Sequence, residues 1–154
     1  MATDTRFGYG LKIDDGDIAF ERPVDGERKL RLREVSGVGN LMQALALRVQ
    51  TPLGNDRFNT TYGLDIGAAF VQATTVNTAR SIIKLNLVRT LGTDPRISEV
   101  IDVQFIDDPA YRARHPDITD QQVRDARHRR VWNVDILLRT DDGETKVLPA
   151  SVGA

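Results

Sequence analysis

The spacing of apolar and polar residues changes several times along the chain, and each change predicts an element. Leu11-Lys12-Ile13 and Ile18-Ala19-Phe20 flank Asp14-Asp15-Gly16-Asp17, where the Asp-Gly step supplies the positive φ of a tight hairpin turn. Asp25-Gly26 marks another turn, and Leu30, Leu32 and Glu34 alternate with Arg31, Arg33 and Val35 as a strand does. At Asn40 the period lengthens. Val38, Leu41, Met42, Leu45, Ala46 and Val49 follow the stripe of an amphipathic helix. Asn40 is placed to cap it, with Gln43 at capping-box spacing, and Pro52 stops it.

Thr51 to Leu64 carries the Pro, Gly, Asn, Asp and Thr content of a loop. A second helix is predicted from about Thr75 to Leu91, with Val76, Ala79, Ile83, Leu87 and Leu91 in one stripe. Ile82, Leu85 and Val88 widen that stripe, and Gly92 stands at the C′ position. A helix apolar over so much of its circumference is either buried centrally or packed on a partner. After Pro95 the strand pattern returns from Arg96 to Ile106, and again through Trp132, Val134, Ile136 and Leu138. Asp141-Asp142-Gly143 then turns into Thr145 to Leu148. Strands, two helices and strands again predict an α+β fold, a single small domain over 1–154 with two main helices packed on one side of a small, mostly antiparallel sheet.

A charged insertion at about 107–130 separates the late strands. Within it Thr119 and Gln122 have capping-box spacing, and Ile118 and Val123 sit where a hydrophobic staple belongs, which predicts a short helix from about Asp120 to Arg130. Arg124, Arg127 and Arg130 recur every three residues along it. They make either a solvated face or a contact with a neighbouring protein.

Composition narrows the function classes. The chain has 154 residues, 21 basic against 22 acidic, and a net charge of −1. That balance gives no long-range field to draw in nucleic acid or an anionic membrane. Without cysteine there is no disulfide scaffold, thiolate chemistry or cysteine-bound metal. No run approaches the length of a membrane span, so a cytoplasmic location is expected.

Candidate chemistry adds little to this picture. His115 and His128 lack a flanking metal-ligand pattern and read as solvated surface residues. Asp14, Asp15 and Asp17 lack the bidentate Glu that would complete a calcium loop. No G-x-S-x-G or Gly-rich phosphate loop occurs. No cofactor, metal or catalytic set is expected, and the residues favour a protein that works by shape.

Several segments, in order, resemble the small inner-baseplate wedge family of contractile tails. They are Asn40-Leu41-Met42-Gln43, Leu47-Arg48-Val49-Gln50-Thr51-Pro52-Leu53-Gly54, Phe58, Tyr62-Gly63-Leu64-Asp65, and Leu91-Gly92-Thr93-Asp94-Pro95-Arg96-Ile97. The family's signature Glu-Pro-Arg is here Asp94-Pro95-Arg96, one methylene shorter at the acid. The resemblance implies a structural baseplate subunit of a phage, type VI secretion or extracellular injection machine, present in several copies in a symmetric particle. Its implied partners are a larger wedge subunit, the tube and hub, and the sheath, whose assembly it would template. Arg48, Tyr62, Asp94, Pro95 and Arg96 then become candidate interface residues, together with Arg124, Arg127 and Arg130.

Two other classes remain open on sequence: a tail-associated peptidoglycan hydrolase and a free-standing protein-binding module. Asp94-Pro95-Arg96 itself reads two ways, as an assembly corner or as a helix stop with an exposed ion pair. The last hairpin reads either as a sheet edge open to a sheath segment, guarded by Arg139 and Lys146, or as an ordinary closed hairpin.

Overall fold

The structure, a computed structural model, describes residues 6–22, 29–73 and 75–153. The turn expected at Asp25-Gly26 lies outside the described residues. The fold class is α+β, and the chain divides into two compact units, Met1–Ala44 and Leu45–Ala154.

The first unit is built from six very short strands: β1 (Tyr9–Leu11), β2 (Ile13–Asp14), β3 (Asp17–Ile18), β4 (Phe20–Glu21), β5 (Arg31–Leu32) and β6 (Glu34–Ser36). They pair antiparallel as β1–β6, β2–β3 and β4–β5. The β2–β3 turn has positive φ at both central residues, Asp15 (49°) and Gly16 (84°), as the Asp-Gly step predicts. The three ribbons meet in a closed ring of backbone hydrogen bonds. Lys12 N–H donates to Arg33 O (2.8 Å), Arg33 N–H to Ala19 O (2.9 Å) and Ala19 N–H to Lys12 O (2.8 Å). The pairing puts Tyr9, Leu11, Ile13, Ile18, Phe20 and Leu32 on one face. On the other, Lys12 and Arg33 approach the Asp14 carboxylate at 3.5 and 4.0 Å.

Helix α1 (Gly37–Gln50) begins about one turn before the expected cap. Asn40 is therefore not a cap. Its amide donates to Phe7 O (2.9 Å), while Gln43 accepts from Ile13 N–H (2.9 Å) and donates to Leu11 O (2.8 Å). Both side chains serve the backbone of the ribbons instead of the helix end. A Cβ on Gly10 would lie 2.9 Å from Asn40 Oδ1, so a side chain there would displace the Asn40 amide that bonds Phe7 O. The predicted stripe holds: Leu41, Leu45 and Val49 are fully buried.

In the second unit, α2 (Gly67–Gln72) and α3 (Val76–Leu91) precede β7 (Ile97–Phe105). Thr75 caps α3 by accepting from Thr78 N–H (3.1 Å). Ala79, Ile83, Leu87 and Leu91 face the core, but Val76, at the first position, is exposed, and so are Leu85 and Val88. The helix is thus buried on one side only. Gly92 is right-handed (φ −66°) and not the left-handed C′ residue expected. The chain instead tightens past the helix end through Thr93 N–H to Thr90 O (3.4 Å) and Asp94 N–H to Leu91 O (3.1 Å).

The insertion folds as α4 (Pro109–Arg114) and α5 (Asp120–His128) and leads into β8 (Val131–Thr140) and β9 (Thr145–Gly153). The sheet has the order β7-β8-β9, antiparallel throughout. One face carries Val103, Phe105, Val134, Ile136, Leu138, Leu148 and Val152, all buried. On this side the Arg80 guanidinium of α3 stacks 4.5 Å from the centre of the Phe105 ring. The opposite face is covered in part by α4. There Asp135, 1% exposed, accepts from Arg114 Nε (3.1 Å) and lies 2.8 Å from His115 Nε2. His115 also packs on the Tyr111 ring (4.4 Å) while its side chain stays 39% exposed, so it is a surface residue as expected, but one tied to a buried partner. That partner, Asp135, is a polar residue in an alternating strand, and the side chains of Arg114 and His115 at the end of α4 meet it there. Both arms of the Thr119–Gln122 capping box form, and Ile118 packs beside Val123 as the staple predicts.

Candidate functional site

Arg48, Tyr62, Asp94, Pro95 and Arg96 come from three segments, and the fold brings them to one corner. Gly63 allows the first contact. At φ 113° it passes so close to α1's end that a Cβ would meet Thr51 O at 2.5 Å. Leu64 N–H then bonds Thr51 O (2.8 Å), and Thr90 Oγ1 donates to Gly63 O (2.6 Å), tying the Tyr62-Gly63-Leu64 loop to both α1 and α3. Arg48, in the last turn of α1, lies over the Tyr62 ring (4.8 Å). It also donates to Thr90 O (3.1 Å) and to Thr93 Oγ1, so it satisfies a carbonyl at the C-terminal end of α3.

At the turn that follows, Asp94 is 5% exposed and takes three hydrogen bonds from Arg96. Its Oδ1 accepts from the backbone N–H (3.0 Å) and from Nε (2.9 Å), and its Oδ2 accepts from Nη2 (2.7 Å). This is a two-pronged guanidinium–carboxylate pair closed over a proline turn. Side-chain bonds from Arg96 hold the Asp94 carboxyl below its usual range, against the opposing effect of burial. Burial pushes the Tyr62 phenol up, against the pull of Arg48. Pro95 itself is exposed. The simple picture of an exposed ion pair at a helix stop does not fit a carboxylate buried this far.

Arg124, Arg127 and Arg130 do not share one helix side. α5 ends at His128, and Arg130 follows with φ 53°, in the left-handed region. Arg124 donates to Gln121 (2.8 Å) and Arg127 to Asp107 (2.8 Å). Asp107 also takes the Arg80 guanidinium (2.9 Å), whose other nitrogen reaches Asp108 (2.5 Å).

The sheet presents two edges of different chemistry. Ile106 N–H donates to Asn133 O and Thr140 N–H to Glu144 O, so the odd-numbered residues of β8 bond β7 and the even-numbered ones bond β9. On β7 the outward N–H groups include those of Val103 and Phe105. These two are taken by side chains, Asp102 Oδ1 (2.8 Å) and Asp108 Oδ2 (2.7 Å). Two register shifts further distort that edge. On β9 the outward groups belong to Thr145, Val147, Pro149 and Ser151, and no hydrogen bond to these N–H groups is found among the described residues. Pro149 places its missing N–H in the middle of this open row. Arg139 pairs with Glu99 (2.9 Å), and Lys146 with Glu144 (2.5 Å).

The corner was found in the sequence only through the family resemblance. Neither the Asp135–Arg114–His115 set nor the side-chain caps on Val103 and Phe105 is visible in the sequence, because an Asp in an alternating strand gives no sign of what covers it. Among the described residues no three His, Asp or Glu side chains are placed to hold a metal ion, and no helix is long and apolar enough to cross a membrane. Compared with protein-family profiles, with curated protein sequences and with solved structures, the chain gives no match.

Proposed function

We propose that this chain is a structural assembly subunit of a contractile tail-like injection machine, of the small inner-baseplate wedge kind. It would be incorporated in several copies into a symmetric particle, joining a larger wedge subunit and the tube to the sheath. The observation that carries this reading is the convergence of Arg48, Tyr62, Asp94, Pro95 and Arg96 on one corner. These residues come from three separate segments, and the sequence resemblance groups them independently of their geometry. The corner is rigid, because Pro95 fixes φ and the Asp94–Arg96 fork fixes the turn. Two further features support it. The outer side of α3 leaves Leu85 and Val88 for a partner helix, and β9 offers an open edge for an extended strand.

The test is co-expression with the sheath, tube and large wedge proteins encoded in the same genome, followed by affinity capture on this chain. The wild type is expected to retain the wedge complex. Arg96→Lys keeps the positive charge but loses the fork, and is expected to fold and yet fail to be retained. Retention of Arg96→Lys and Pro95→Ala at the wild-type level would remove the corner from the interface. Failure of the wild type to bind any of these proteins would overturn the reading as a whole.

A further inference from the structure

A cleft of about 330 Å³ opens between the start of α3 and the end of α5, lined by Phe70, Val76, Ala79, Arg127, Arg130 and Trp132 among others. Its walls are mostly apolar and its charged groups are two guanidiniums. Arg127 already shares Asp107, where the Arg80 and Arg127 cations balance the Asp107 and Asp108 carboxylates. The Arg130 backbone N–H bonds Arg127 O (3.2 Å), but its guanidinium has no hydrogen bond or ion pair among the described residues. Its φ of 53° is a backbone state that few non-glycine residues adopt. An exposed cation without a carboxylate partner thus lines a mostly apolar cleft.

We infer that this cleft is a docking site for a polypeptide segment that presents an Asp or Glu carboxylate next to an aromatic or branched aliphatic side chain. The carboxylate pairs with the Arg130 guanidinium. The neighbouring side chain fills the space against Phe70, Ala79 and Trp132. The Val76 side chain, 57% exposed, leaves part of this apolar wall open to solvent, which suits a segment running across it better than a small molecule. Thr75 and Val76, the cap and first residue of α3, add the positive end of that helix to the same wall. This site is separate from the Asp94-Pro95-Arg96 corner, and the inference holds or fails whatever machine the chain belongs to.

Trp132 is the only tryptophan in the sequence, so its indole N–H gives one resonance that reports directly on the cleft wall. The full chain is titrated with two capped tetrapeptides, Leu-Asp-Phe-Leu and Leu-Asn-Phe-Leu, differing only in the carboxylate. The Asp peptide is expected to shift the indole resonance to saturation, and the Asn peptide to bind roughly tenfold more weakly or worse. Arg130→Gln, an exposed change checked by its amide fingerprint, is expected to reduce Asp-peptide binding to the level of the Asn peptide. Equal binding of the two peptides, no saturable shift with either, or full affinity in Arg130→Gln would each overturn the proposal.

Discussion

Both units of the chain build antiparallel strands on an apolar–polar alternation, yet the same pattern has opposite outcomes in them. In the β7–β9 sheet the apolar face is closed: Val134, Ile136 and Leu138 are each 1% exposed or less. In the three ribbons of β1 to β6 the apolar face is open, with Tyr9 at 73%, Phe20 at 58% and Leu32 at 48%. Alternation reports that a strand has two faces. It does not report whether anything covers either face. A two-stranded ribbon buries little by itself, and the ribbons are held by their hydrogen-bond ring and by Asn40 and Gln43. The difference suggests separate tasks: the sheet supplies stability, and the ribbons keep apolar surface available.

The comparison breaks if equal truncations cost the same in both places. Ile136→Ala is expected to destabilise by about 2–5 kcal/mol, since it removes a fully buried side chain and leaves a cavity. Phe20→Ala is expected to change stability by about 0.5 kcal/mol or less, because the ring is already mostly in water. Denaturant midpoints of the two variants give the ratio directly. A large loss for Phe20→Ala would mean that the ribbon face is covered in solution.

The same reasoning explains which parts of the fold were legible in the sequence. The stripes of α1 and α3 are long enough for their period to show, so Leu45 and Ile83 are placed inward from sequence. The β2–β3 turn, the α5 capping box and the strand pattern of β8 are local chemistry and read correctly. The six-residue helices α2 and α4 are too short to display a period, and α4 is marked only by Pro109 after Asp108. Nothing in the β8 alternation shows that Arg114 and His115, at the end of α4, cover Asp135. Asn40 and Gln43 have the residue types of a cap, but tertiary strand backbone outcompetes the helix end for them. Of the candidate site, the sequence supplies the residues and the fold supplies their convergence. No spacing rule brings Arg48 to the carbonyl of Thr90.

The corner tests an intermediate case, since Asp94 is buried while Arg96 is partly exposed. Because side-chain bonds from Arg96 lower the folded-state pKa of Asp94, the stabilisation is fully present above the unfolded carboxyl value. It is lost as pH falls through the folded value. Arg96→Lys, which gives up the fork, is expected to lose about 1–2 kcal/mol near neutral pH. Relative to the wild type, that loss should shrink as pH drops below the unfolded carboxyl pKa of about 3.9. Denaturant midpoints at several pH values measure it. A difference between variant and wild type that did not change with pH would detach the fork from the Asp94 titration.

The smallest expected effect on stability sits at the β9 edge, and it extends the comparison from faces to edges. Removing residues 145–154 would be a poor test, because Leu148 and Val152 are buried and the loss would reach the core. Pro149→Val changes the edge alone. Pro149 is exposed and lies opposite Asp135 at a pair whose β9 backbone faces outward, so valine adds one outward N–H and completes the row between Val147 and Ser151. Loss of proline rigidity in the unfolded chain and gain in strand propensity oppose each other, and the net change is expected within about 1 kcal/mol. Association should respond far more than stability. With two β7 donors taken by Asp102 and Asp108 and that edge bulged, β9 is the more regular edge open to an added strand, and Pro149 limits any such strand to the donors on either side of it. Sedimentation of Pro149→Val over a concentration series is expected to show self-association that the wild type lacks at the same concentrations. If the variant stays as monodisperse as the wild type, the proline does not guard the edge.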